Sequence, residues 1–205
     1  MFRASVLFIA FLTFSFFIGC DEKATEPTEE KPSTLLPLAL GNTWNYKLYN
    51  QSSDSTGQVI WSVNNIINVD GKDYFLITSS GFGNNYFAAR VETNGLFLSI
   101  YDSTNGFVSP FFYKFPAEEN ETYQYIIPNT DSTLNITVKK QNLLINNHNY
   151  PCYGYINQNL NPYFPFMYFS ENIGLIRHKL VFNTGNGIDT THYFIYDLQN
   201  TVLNK

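Results

Sequence analysis

Gln58-Val59-Ile60-Trp61-Ser62-Val63-Asn64-Asn65-Ile66-Ile67-Asn68-Val69-Asp70-Gly71-Lys72-Asp73-Tyr74-Phe75-Leu76-Ile77-Thr78-Ser79 decides the fold. Two runs rich in β-branched and aromatic residues flank an aspartate-glycine pair. A tight type I′ turn needs positive φ at both central residues, and Asp-Gly supplies that at low cost, so the stretch predicts a β-hairpin. The same pattern recurs on both sides. Thr43 to Tyr49 alternates, with Trp44, Tyr46 and Leu48 on one face. Asn84 to Glu92 and Leu96 to Tyr101 flank Asn94-Gly95, and Asn105-Gly106 closes the next run. Glu121 to Ile127, Thr133 to Leu144 and Tyr150 to Asn157 follow, with Asn146-Asn147 as a turn. Phe166 to Ser170, Gly174 to Asn183 and Thr190 to Leu198 end the series, the last two joined through Asn186-Gly187. A helical apolar period is almost absent throughout.

About ten consecutive strands with short connections make an all-β, antiparallel meander. A sheet of that length twists, so it must curl, split or close; a strongly curved sheet, a half-barrel and a barrel all satisfy the pattern. Aromatic residues make up 18% of the chain, with 19 Phe and 15 Tyr, which favours one concave, aromatic-filled face. The segment from Ile67 to Tyr74 echoes that from Leu144 to Tyr150, each placing a turn pair shortly before a Tyr that re-enters a strand. An ancient duplication and shared hairpin grammar both account for the echo, and grammar is the simpler reading.

The first residues read as an address. Arg3 precedes an apolar run from Val6 to Ile18, broken only by Thr13 and Ser15, the length of a signal-peptide core. Phe17-Ile18-Gly19-Cys20 follows. Phe17 is too large for the −3 position of ordinary signal cleavage, where small residues are required. The segment instead resembles the lipobox of bacterial lipoproteins: an apolar residue at −3 (usually Leu), a small residue at −1 and Cys at +1. That resemblance implies cleavage between Gly19 and Cys20 and acyl chains on Cys20, with residues 1–19 as signal peptide. Two or three acyl chains hold a protein stably at a bilayer, at about 0.8 kcal/mol per buried methylene. Residues 20–34 carry Asp21, Glu22, Glu26, Glu29 and Glu30 against Lys23 and Lys31, with Pro27 and Pro32 between them. Such a segment cannot build a core and reads as an extended acidic tether. Acidic residues just after the lipidated Cys also look like the export signal of surface-exposed lipoproteins in Bacteroidota-type bacteria, while a plain solvated spacer fits equally. The expected address is the outer membrane of the cell envelope.

Residues 35–205 remain as a single β-rich domain of ordinary size. The full chain carries 12 Lys and Arg against 17 Asp and Glu, with no basic stripe, which disfavours nucleic acid as a partner. Cys20 and Cys152 are the only cysteines, so a lipidated Cys20 leaves Cys152 unpaired, as a small buried hydrophobe. Pro37-Leu38-Ala39-Leu40-Gly41-Asn42-Thr43-Trp44-Asn45-Tyr46 and Glu171-Asn172-Ile173-Gly174-Leu175-Ile176-Arg177 resemble two patterns of uncharacterised Bacteroidota lipoproteins. The first is Pro-Leu-x-x-Gly-Asn-x-Trp-x-Tyr and the second Gly-x-Gly-Leu-(Val/Ile)-(Lys/Arg). Asn172 stands where the second pattern has its first glycine. The resemblance implies a β-rich fold and a location, and no activity. Gly41, Trp44 and Gly174 read as scaffold residues.

The search for chemistry is short. No Gly-x-Ser-x-Gly elbow occurs, and no phosphate-binding, cofactor or calcium-loop pattern. No cofactor and no metal are therefore expected. His178 and His192 lie on the last two runs, but counting outward from Asn186-Gly187 puts them about three residues out of register. Glu118, Glu119 and Glu121 cluster in loop grammar. Two aromatic clusters remain: Phe111-Phe112-Tyr113-Lys114-Phe115, and Tyr163-Phe164-Pro165-Phe166-Met167-Tyr168-Phe169. Consecutive aromatics on a strand point to both faces, so a thick core and an exposed patch are both open readings. Phe112, Tyr113, Tyr163, Phe164, Phe166 and Tyr168 are the candidate ligand-binding aromatics. The expected function is a non-enzymatic, membrane-anchored binding module for a small apolar or glycan ligand. A structural or assembly component of the envelope that binds other proteins is the alternative, and an envelope hydrolase a distant one.

Overall fold

The computed structural model describes residues 33–50, 54–80, 86–102, 104–128, 130–159, 166–183 and 188–204. These form twelve strands and no helix. The first six are β1 (Thr43–Asn50), β2 (Ser55–Val69), β3 (Lys72–Ser79), β4 (Tyr86–Glu92), β5 (Gly95–Asp102) and β6 (Gly106–Lys114). The second six are β7 (Thr122–Ile126), β8 (Thr133–Ile145), β9 (His148–Asn157), β10 (Met167–Ser170), β11 (Gly174–Asn183) and β12 (Ile188–Val202). All belong to one antiparallel sheet of order β6-β5-β4-β3-β2-β1-β12-β11-β10-β9-β8-β7. Two six-strand meanders thus meet where the first strand pairs with the last. The expected all-β meander is present, and the sheet is open: β6 and β7 are its edges.

The turn grammar works at the residue level. Asp70 and Gly71 have φ of 52° and 74°, and Asn146 and Asn147 have 51° and 64°, so both echoed hairpins carry left-handed turn pairs. Asn94-Gly95 behaves differently. Gly95 is already paired with Glu92 and with Lys114, which moves the turn to Thr93 and Asn94. A Cβ on Gly95 would stand 2.3 Å from the Tyr113 carbonyl oxygen, so close approach of β6 fixes this glycine. β6 itself was not evident as a run because Pro110 interrupts it. Proline has no N–H for a ladder and is tolerated on edge strands and at bulges; here Pro110 lies on the edge, beside the register shift between Leu98 and Ile100.

One face of the sheet curls around a single core that includes Trp44, Tyr46, Val59, Trp61, Val63, Ile77, Leu96, Leu98, Ile136, Val138, Tyr155, Phe169, Ile176 and Leu198. Trp44 and Trp61 are opposite one another on β1 and β2, and Tyr46 meets Trp61 edge-on at 5.6 Å. Curling brings β6 onto the inner surface of the second meander. The Tyr113 ring packs at 5.0 Å from Tyr155 and 4.9 Å from Phe169, and Phe115 stands edge-on to Tyr153 at 5.2 Å.

Candidate functional site

The two motifs near the ends of the domain fold into one clasp. The Trp44 indole Nε1 donates to the Ile173 carbonyl at 2.7 Å, and the Tyr46 hydroxyl to the Leu175 carbonyl at 3.1 Å. Gly174 has φ of 113°, and a Cβ there would stand 2.7 Å from Trp44 Nε1 and 2.9 Å from Leu36 Cδ1. Asn42, fully buried, donates from Nδ2 to the Pro37 carbonyl and accepts from the Asn204 N–H, both at 2.7 Å. One amide therefore ties the start of the domain to its end. Asn172 holds φ of 59°, a conformation asparagine tolerates better than most residues, and its Oδ1 accepts the Thr34 N–H at 3.0 Å. These contacts hold the scaffold together.

The six aromatic candidates do not form one site. Tyr113 is buried in the core, its hydroxyl 2.9 Å from the Met167 sulfur and its pKa raised by burial. Tyr168 is buried too, beside Arg177, and desolvation raises its pKa. Phe166 is half-buried and accepts a backbone hydrogen bond from Lys179. Tyr163 and Phe164 lie outside the described residues. Phe112 faces the other way from Tyr113. It is half-buried opposite Phe97, which in turn is opposite Arg90.

That face carries a cluster the sequence did not single out. Tyr74, Leu76, Ala88 and Phe97 form a second apolar group, with Ile67, Val69, Tyr101 and Phe107 against it. The rings of Tyr74 and Phe107 are 4.6 Å apart, Phe97 and Phe107 5.5 Å, and Tyr101 and Phe107 5.7 Å. The Arg90 guanidinium caps the Tyr74 ring at 4.9 Å and pairs with Glu92. Phe112 extends the cluster to Tyr125, whose ring is 6.3 Å away. The available signal was alternation: Tyr74 and Leu76, Ala88 and Arg90, and Phe97 fall on one face once their strands are set in register.

The gap among Tyr46, Trp61, Leu175, His178 and Tyr196 has no room for a water molecule. His178 is stacked on Tyr196 with rings 5.8 Å apart, and burial lowers its pKa to about 4. It is paired with Tyr196, not with His192, as the offset expected from the sequence requires. Cys152 is buried and its thiol pushed up to about 12, which leaves it unreactive. Glu118, Glu119 and Glu121 are in the loop ahead of β7, paired with Lys140, Lys139 and Lys114 in turn. The Lys114 hydrogen bond lowers the Glu121 pKa. Among the described residues, no three His, Cys, Asp or Glu side chains converge as metal ligands would.

No protein-family model and no curated protein matches the sequence. Two crystal structures resemble the fold at low identity. A candidate exported protein with a YmcC-like fold from Bacteroides fragilis is 11% identical, with a TM-score of 0.44 over 83% of this chain and 100% of that one. A candidate lipoprotein from Parabacteroides distasonis is 12% identical, with a TM-score of 0.43 over 84% of this chain and all of that one.

In the outer cluster Tyr74 and Phe97 are buried, and Tyr101, Phe107 and Phe112 are half-buried beside the Arg90–Glu92 pair. Ring faces stack on the apolar faces of sugars, and a paired guanidinium and carboxylate donate to and accept from hydroxyls.

Proposed function

We propose that this protein is a lipid-anchored, non-enzymatic component of the cell envelope whose outer aromatic face on β3 to β6 binds glycan. The observation that carries the ligand class is the set of half-buried rings Tyr101, Phe107 and Phe112 on the face away from the core, seated on buried Tyr74 and Phe97 and bordered by Arg90 and Glu92. The packed gap at the centre of the interior favours a surface site over an acyl-chain cavity. Anchoring rests on Phe17-Ile18-Gly19-Cys20, and the acidic residues 21–30 suit a spacer between headgroups and domain.

Electrophoresis through gels loaded with envelope polysaccharides tests the ligand. Retardation of the wild type that is lost in a Phe107→Ala, Phe112→Ala variant supports the reading, and unretarded wild type refutes it. Metabolic labelling with palmitate tests the anchor: label must enter the wild type and disappear from Cys20→Ala.

A further inference from the structure

The two edges of the sheet are treated differently. The β6 edge is sealed. The Tyr123 hydroxyl donates to the Phe112 carbonyl at 2.7 Å and lies 3.4 Å from the Lys114 N–H, while the Tyr155 hydroxyl donates to the Lys114 carbonyl at 2.7 Å. Pro110 and a register shift further interrupt the strand. These are the devices by which proteins protect an edge from pairing with another chain.

The β7 edge has none of them. Val138 N–H bonds to the Glu121 carbonyl, and Ile127 N–H to the Ser132 carbonyl, so the odd-numbered residues of β7 face β8. By the alternation of an antiparallel ladder, the N–H and C=O groups of Thr122, Gln124 and Ile126 point the other way, off the sheet. Among the described residues they meet no partner. The side chains along the strand are Thr122, Tyr123, Gln124, Tyr125 and Ile126, with no charge and no proline, and Ile126 is 66% exposed. The Tyr125 hydroxyl is buried, also without a hydrogen-bond partner among the described residues. A depression of about 390 Å³ borders the strand, lined by Thr122, Gln124, Asn135, Thr137 and Gln158 together with Tyr123 and Ile136.

We propose that β7 is a strand-acceptor edge, which binds an extended segment of a partner protein by adding it to the sheet beside Thr122–Ile126. Main-chain hydrogen bonds would supply affinity and alternate side chains specificity. The segment is proline-free and uncharged over about five residues, with small polar side chains on the side of Gln124, Asn135 and Thr137. A flexible segment fits better than a second folded copy. A five-residue edge is far short of the roughly 1,000 Å² that a stable interface between folded bodies needs. The proposal does not depend on the glycan face, and either can fail alone.

The test uses the full chain in detergent and a blocked peptide copied from Thr133–Lys139, the sequence that already pairs with β7 on its other side. Hydrogen exchange at the amides of Thr122, Gln124 and Ile126 should slow at least tenfold at saturating peptide. Gln124→Pro removes one outward N–H and keeps the main-chain bonds to β8, losing only the exposed side-chain bond from Gln124 Nε2 to Asn135 Oδ1, so its thermal midpoint should stay near that of the wild type while the protection is lost. The same peptide N-methylated at alternate residues should not bind. Unchanged exchange with the peptide, equal protection in Gln124→Pro, or equal binding of the N-methylated peptide each overturns the proposal. Protection that appears without peptide and grows with protein concentration overturns it in favour of a second copy.

Discussion

The centre and the margin of this sheet are held by different means. At the centre, where β1 meets β12, the joint depends on residues that have no substitute: Gly174 leaves room for Trp44, and the Asn42 amide bonds to both ends of the domain. At the margin, tyrosine hydroxyls reach from β7 and β9 to the free groups of β6. The centre is rigid because each contact is sterically unique and buried. The margin is more adjustable at Tyr123, a half-buried side chain whose hydroxyl can leave and be replaced by water or by another backbone, while Tyr155 is buried. Stability should therefore be concentrated at the centre, and the recognition proposed above falls at the margin and on the outer face.

The largest effect should come from the clasp. Gly174→Val combines a positive φ with contacts under 3 Å to Trp44 and Leu36, neither of which can retreat from the core. We expect a loss of about 4 kcal/mol in urea denaturation, or failure to fold. A loss under about 1 kcal/mol would mean the centre is as adjustable as the margin. Next comes His178, on β11 beside the joint. Its folded-state pKa is depressed to about 4 by burial among Tyr46, Trp61, Leu175 and Tyr196. The sign follows from linkage. Above the ordinary pKa of about 6.5 neither state binds the proton and stability does not change on this account. Between there and pH 4 the unfolded chain takes up a proton the folded chain refuses, so stability falls as pH falls. The total is about 3 kcal/mol by pH 4, and denaturation of wild type against His178→Phe at pH 7 and pH 4 should differ by that amount. Equal pH slopes for the two proteins would show that His178 finds a proton-compatible site in the fold. Asn42→Ala strands the Asn204 N–H and the Pro37 carbonyl and should cost about 2 kcal/mol, measured in the same way.

The fold was legible because its turns are written in residues with one physical meaning. Asp70-Gly71 and Asn146-Asn147 adopt positive φ pairs, and the strands between them alternate. Asn172 shows the same logic within a motif: an asparagine in a glycine's place keeps the left-handed backbone and adds a hydrogen bond to Thr34. β6 was hidden because Pro110 is a strand breaker everywhere except at an edge, and edges are defined by tertiary order, which no local pattern carries. The candidate site was hidden for a related reason. Local crowding of aromatics drew attention to Phe111 through Phe115, yet consecutive residues face opposite sides, so the run divides between core Tyr113 and outer-face Phe112. Tyr74, Phe97 and Phe107 are far apart in sequence and meet only once three hairpins are in register.

The smallest effects should separate the margin from the centre most sharply. Tyr123→Phe removes the hydroxyl that serves the Phe112 carbonyl and the Lys114 N–H. Because water can reach an edge strand, the cost should be about 1 kcal/mol, half or less of that for Asn42→Ala. Exchange at the Lys114 amide should quicken while the amides of β1 and β12 are unaffected. Tyr125→Phe goes further. Its hydroxyl is buried without a partner among the described residues, so deleting it removes a desolvated group, and the variant should match or exceed the wild type by about 0.5 kcal/mol. A loss of more than about 1 kcal/mol would instead show that the Tyr125 hydroxyl is hydrogen-bonded in solution, and the margin would then be as fully satisfied as the clasp.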